Sequence, residues 1–239
     1  MRKKPSQLEM KLRPSPQWGG WREKAGRKRD PKSGVRHISR ESFSSTTPAH
    51  VTVKLVPALR SLRSKTIVRA LERTFAGGCD RSEFRLVHYS LLGNHAHLIV
   101  EARDQHALGR GMMAIGSRLA LAVNRVMGRK KGRVVADRYH ARLLRTPREV
   151  RNALRYVLLN AKKHAAVTAR RAPRATDVVL DLASSARWFD GWKLARGRVA
   201  GAQEPPEPHE PRPVARAKTW LLNVGWRRHG LLDPAEVPG

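Results

Sequence analysis

The sequence predicts an α+β domain built on an antiparallel sheet, and three observations carry that expectation. Four short segments are rich in β-branched and aromatic residues. Three longer ones repeat their apolar residues at helical spacing. The two kinds follow one another as β-α-β-β-α-β, with one helix over at the end.

The first strand is His50-Val51-Thr52-Val53-Lys54-Leu55-Val56, which alternates and is β-branched. Residues 64–75 carry Ile67, Leu71 and Phe75 at four-residue steps, a helix face that Gly77-Gly78 ends. Residues 84–92 and 95–101 form a hairpin across the turn signal Gly93-Asn94. A long helix spans about 105–127 on the stripe Leu108, Met112, Ile115, Leu119, Ala122 and Val126. The basic loop Gly128-Arg129-Lys130-Lys131-Gly132 leads into a strand over about 133–144. Thr146-Pro147-Arg148-Glu149 then opens a helix reaching about residue 163. It has a threonine N-cap, proline at the first helical position and glutamate three after the cap. The βαββαβ order is the ferredoxin-like arrangement, with helices on one sheet face, plus an extra C-terminal helix that bears Tyr156.

Basic extensions flank this domain, expected at 48–165. Residues 1–47 show no hydrophobic period and read as a largely disordered arm, in which Trp18 and Trp21 either stack on bases or dock on the domain. After residue 165 the signal weakens. Residues 178–182 suit a short strand or a helix start, and Trp188 and Trp192 flank a turn. Residues 201–214 are a Pro/Glu-rich linker, and a short tail with Trp220 and Trp226 follows. Arg227, Arg228 and His229 in that tail suggest a further phosphate-binding element.

Lys and Arg number 49 against 19 Asp and Glu, a formal net charge of +30. That excess points to a polyanion partner, nucleic acid first. An anionic membrane ranks second, because there is no basic helix with a strong apolar face and no apolar run able to span a bilayer. The N-terminus lacks the apolar stretch of a secretory signal. The single cysteine, Cys79, excludes an internal disulfide and a thiolate zinc cluster, and fits a reducing intracellular setting.

Chemistry concentrates in two places. His95 and His97, one residue apart on a strand, point to the same face. Two imidazoles so placed suit a divalent metal; half-buried packing histidines are the bland alternative. On the last helix, Val150, Leu154, Val157, Leu158 and Ala161 form the apolar stripe, whereas Tyr156 shares a polar side with Glu149, Asn152, Asn160 and Lys163. A phenol can attack phosphorus covalently, a metal on the histidine pair would reduce the phosphate's charge, and Asn160 at i+4 could add an oxygen ligand. That nitrogen and oxygen set suits Mn²⁺ or Mg²⁺.

Gly93-Asn94-His95-Ala96-His97-Leu98-Ile99-Val100 resembles the histidine–hydrophobic–histidine motif of the HUH endonuclease superfamily. Arg155-Tyr156-Val157-Leu158-Leu159-Asn160 resembles the tyrosine helix of its single-tyrosine transposases, the insertion-sequence and REP-associated enzymes. Asp137-Arg138-Tyr139-His140-Ala141-Arg142 resembles the strand before that helix. Ala161 stands where the family often has proline, and Val135-Ala136 where an aromatic residue is common. The resemblance implies a metal-dependent enzyme that cuts and rejoins single-stranded DNA at hairpin ends. Tyr156 would be the nucleophile, giving a 5′-phosphotyrosine, with His95, His97 and Asn160 on Mg²⁺ or Mn²⁺. It further implies a homodimer at a bacterial nucleoid, in the cytoplasm. Alternatives are a domesticated, non-cutting hairpin binder and a replication-initiator or relaxase-type nickase.

Other residues have two readings each. Tyr89 and Tyr139 are rival nucleophiles or strand packing residues, and His140 and His164 accessory ligands or surface residues. Asp137 either helps the metal or pairs with an arginine. Arg110, Arg118, Arg125, Arg129, Lys130, Lys131 and Arg138 are candidate DNA contacts, or solvate their own elements.

Overall fold

The computed structural model describes residues 44–59, 61–168, 180–193 and 211–236, and only the backbone for 161–168. Trp18, Trp21, most of the expected arm and most of the expected linker lie outside these residues. So do residues 178 and 179, and the side chains of Ala161, Lys163 and His164.

The fold is α+β. Its elements run β1 (Ala49–Lys54), α1 (Lys65–Ala76), β2 (Asp80–Arg81), β3 (Phe84–Leu91), β4 (His95–Ala102), α2 (Gln105–Val126), β5 (His140–Leu143) and α3 (Pro147–Thr168). The five strands form one antiparallel sheet in the order β2-β3-β4-β1-β5. Without the two-residue edge strand β2, this is the predicted βαββαβ path followed by the tyrosine helix.

Register fixes which side chains share a face. Thr52 lies opposite His97, Lys54 opposite His95, and His50 opposite Ile99 on β1–β4; His140 and Arg142 of β5 lie opposite Thr52 and His50. The alternate residues Val51, Val53, Ala96, Leu98 and Val100 turn to the other face. There they form the main core with Ile67, Leu71 and Phe75 of α1 and Leu108, Met112, Ile115 and Leu119 of α2. Helix α3 covers the histidine face. Its Val150, Leu154, Val157 and Leu158 pack on Val87 and Ile99. The stripe expected for α2 is buried except at its end, where Val126 is exposed.

The strand expected over 133–144 is broken. Val135 forms a bridge with Leu55, and regular pairing resumes only at His140. Between them Asp137 turns its carboxylate onto the backbone N–H of Arg138 at 2.7 Å, a local bond that competes with the ladder.

Residues 180–193 and 211–236 pack along the β3 side of the same sheet. Over 180–182 the chain is neither strand nor helix. Ser184 bridges to Ser90, Trp192 to Leu232, and a 3₁₀ turn spans Ser185–Trp188. The last part forms a short helix α4 (Trp220–Asn223) and a 3₁₀ turn Gly225–His229, which lays Trp226 fully buried against the α3 cluster. The anchor is Glu101. Its buried carboxylate accepts from Arg85 at 2.9 Å, from the backbone N–H of Lys218 and Thr219, and from the Thr219 hydroxyl.

His88 makes this docking pH-sensitive. Buried, with Nδ1 3.2 Å from the Ser185 hydroxyl, its imidazole is pushed down to about 3 by burial, partly opposed by Asp190 and reinforced by Arg212. Below its unfolded value of about 6.5 the unfolded chain takes up a proton that the folded chain refuses until about pH 3. The stability that His88 contributes is therefore fully present above about pH 6.5 and is lost as pH drops through that window. The limiting slope for this group is about 1.4 kcal/mol per pH unit. His88→Gln should flatten the acid limb of a denaturation series; an unchanged limb would assign the acid loss to other groups.

Candidate active site

The histidine-bearing strand and the tyrosine helix meet. The Tyr156 hydroxyl lies 3.4 Å from Nε2 of His97, and the two ring centroids are 5.0 Å apart. His95 stands beside His97 with ring centroids 4.8 Å apart, edge to face. All three groups belong to one chain.

Each imidazole is held from its Nδ1 side. His95 Nδ1 is 2.8 Å from Oδ1 of Asn94, whose position in the turn before β4 places the amide beside the ring. His97 Nδ1 is 3.2 Å from the Thr52 hydroxyl and 3.2 Å from His50 Nε2, both presented by the β1 register. Such contacts orient a ligating ring and set Nε2 as its coordinating atom. His50 is brought to about 4 by burial, then by the nearby Arg142 and His140, so it is neutral at neutral pH. Sequence reasoning read His50 and Thr52 only as strand residues.

Asn160 lies one turn beyond Tyr156 on α3. It is almost fully buried, rather than on a solvated polar side, and neither its amide oxygen nor its nitrogen has a hydrogen-bond partner among the described residues. An unsatisfied buried amide costs roughly 1–3 kcal/mol. Helix α3 passes His50 with Asn152 and Ala153, then His97 with Tyr156. Among the described residues no three of His, Cys, Asp and Glu converge on a metal site. The side chains that could hold a cation here are the two imidazoles and, by its place one turn after Tyr156, the Asn160 amide.

A groove of about 400 Å³ runs from Tyr156 along the start of α3, lined by His50, Arg142, Glu149, Asn152 and Arg155. The N-terminus of α3 forms as the sequence predicts. Glu149 accepts from the N–H of Arg145 and Thr146, Thr146 Oγ1 accepts from the Glu149 N–H, and Arg142 pairs with Glu149 at 3.3 Å.

The rival tyrosines lie elsewhere. Tyr89 packs in the core on the opposite face and donates to Glu72 at 3.1 Å; burial, then the Glu72 charge, raises its phenol well above the ordinary value. Tyr139 is half-buried against the same core. Of the candidate DNA contacts, Arg110 pairs with Glu83, Arg118 reaches the Thr74 carbonyl at the end of α1, and Arg129 folds over Gly132. Helix α2, which carries Arg110, Arg118 and Arg125, covers the face away from Tyr156. Arg125, Lys130, Lys131, Arg138 and His140 are exposed, the last on β5 beside the histidine face.

No protein-family profile and no curated protein sequence matches this chain. Among solved structures it is similar to a REP-associated tyrosine transposase bound to a REP hairpin. The two share 19% sequence identity at a TM-score of 0.44, over 54% of this chain and 74% of the other. No helix among the described residues is long and apolar enough to cross a membrane.

Proposed function

We propose that this protein is a metal-dependent DNA transposase or endonuclease that cuts and rejoins single-stranded DNA at hairpin ends through Tyr156. One observation carries the reading. A helix-borne phenol, 59 residues away in the chain, sits 3.4 Å from the second histidine of a strand-borne pair. The net charge of +30 supports a polyanionic substrate.

In the proposed reaction the Tyr156 oxygen loses its proton and bonds to phosphorus. The bond to the 3′ oxygen breaks and that oxygen takes up a proton. One strand end is then a free 3′-hydroxyl, and the other is a 5′-phosphate on Tyr156. Attack by a 3′-hydroxyl on this linkage reverses the step and joins strands. His95, His97 and Asn160 would hold Mg²⁺ or Mn²⁺, which supplies Lewis-acid withdrawal of charge from the phosphate. His50 and Thr52 keep the His97 ring in place. Arg142 and Arg155 offer the groove's cations to the strand. Because the reacting groups meet within one chain, each subunit of the expected homodimer would carry its own centre.

The test is to mix the protein with single-stranded hairpin DNA and Mn²⁺ or Mg²⁺ and to look for a covalent adduct on a denaturing gel. The reading predicts an adduct that needs the metal and that His95→Ala reduces strongly. Hairpin binding with no adduct under any metal would establish the non-cutting alternative instead.

Asn160 gives a separate check. Asn160→Leu replaces the unpaired amide by an apolar group with the same branching at Cγ and should raise metal-free stability by about 1–3 kcal/mol. It should also weaken Mn²⁺ binding measured by calorimetry. A variant that loses stability and keeps its Mn²⁺ affinity would remove Asn160 from the metal set.

A further inference from the structure

A second basic groove, of about 660 Å³, lies on the β3 side of the molecule. It is floored by Val87 and His88 and walled by the C-terminal segments. The strand order puts it across α3 from Tyr156, whose own groove opens toward β1 and β5. Four arginines line it, Arg187, Arg212, Arg216 and Arg227, against one carboxylate, Asp190.

Three of these arginines, Arg187, Arg212 and Arg227, are held against aromatic rings. The guanidinium of Arg187 stands 4.8 Å from the Trp188 ring centre and that of Arg212 5.6 Å, so two cations share one indole. Arg212 also donates to the Trp188 carbonyl at 2.9 Å, and Arg187 is held by Glu72 at 3.2 Å. Arg227 stands over the buried Trp226 at 5.0 Å and reaches Asp190 at 3.0 Å. Below them Phe189 packs on Trp192 and Trp226. Glu72 and Asp190 each offset one of these cations, which leaves the groove an excess of positive charge that an anion would balance. A guanidinium stacked on an aromatic ring has already lost much of the freedom that binding would otherwise take from it.

We propose that this groove is a second DNA site, which seats the phosphate backbone of a single strand on Arg212 and Arg216 while Tyr156 works on the far side of α3. The proposal rests on DNA being the partner but not on cleavage. A strand held at two places across α3 stays in register while one of its bonds is broken and remade.

The experiment measures binding of a fluorescein-labelled single-stranded oligonucleotide by anisotropy across a salt series. It uses full-length protein carrying Tyr156→Phe, with EDTA present, so that cutting plays no part. Arg212 and Arg216 are both exposed, so Arg212→Gln with Arg216→Gln removes charge without disturbing the core. The double variant should bind roughly tenfold more weakly, and its slope of log affinity against log salt should fall by about 1.4, the value for two lost single-strand phosphate contacts. A control removing two exposed charges from α1, Lys65→Gln with Arg69→Gln, should leave affinity and slope near those of the parent. If the groove variant keeps the parent's affinity and slope, or the control loses as much as the groove variant, the site is overturned and only bulk charge is at work. If the parent itself fails to bind DNA, the functional reading falls as well.

Discussion

Tyr156→Phe should abolish the covalent protein–DNA adduct, by at least ~10⁴-fold in rate, the order of loss when a covalent nucleophile is deleted. The substitution removes one oxygen from a half-buried ring that keeps its contacts with His50 and His97, so the fold should survive. The chain offers no ready substitute: of its three tyrosines, Tyr89 is buried in the core on the opposite sheet face and Tyr139 packs half-buried against that core. DNA binding should persist, which separates loss of chemistry from loss of substrate. Mixing Tyr156→Phe protein with His97→Ala protein should restore nothing, because the phenol meets the imidazole of its own chain. Recovery in the mixture would mean that the tyrosine helix serves a partner's histidines instead. The measurement is adduct yield on a denaturing gel, alone and in mixtures.

The second large effect concerns the fold. Glu101→Ala should cost about 3–5 kcal/mol, the range for breaking one partner out of a buried charged pair. Glu101 is buried on the sheet and its two oxygens hold Arg85, two backbone N–H groups and the Thr219 hydroxyl. Deleting it strands an arginine that is itself mostly buried, and frees the start of α4. Urea denaturation should show the loss, and hydrogen exchange should show 215–229 opening before the sheet. Parent-like stability and protection would mean that the C-terminal segment is held by Trp226 and Leu232 packing alone. The same variant should weaken the second DNA groove, because Arg216 and Arg227 lie on either side of that anchor.

Much of the fold was legible because local signals and hydrophobic period agreed. The Thr146–Glu149 capping box formed, Gly77 closes α1, and Gly93-Asn94 turned the hairpin. The partition of His95 and His97 from Leu98 and Val100 follows from strand period alone. What the period could not supply was register. His50 and Thr52 join His97 only because β1 pairs with β4 at Thr52↔His97, a fact set by the whole sheet. Asn160 was placed on a polar face because it shares the helical side of Asn152. Burial there comes from tertiary packing, which a helix wheel does not contain. The strand over 133–144 was overextended because Asp137 spends its carboxylate on its neighbour's backbone. The C-terminal segments are short turns tied by single polar anchors, so no periodic signal marks them. The arginines of α2 looked available in one dimension, yet their helix covers the face remote from Tyr156.

The most direct measurement is to trap the adduct with a single-stranded hairpin substrate and Mn²⁺, digest it with protease and nuclease, and locate the nucleotide-bearing peptide by mass spectrometry. A 5′-phosphate on Tyr156, absent without the cation and absent in His97→Ala, is the predicted result. A nucleotide on Tyr89, Tyr139 or any other residue, or an adduct indifferent to the cation, would contradict the account.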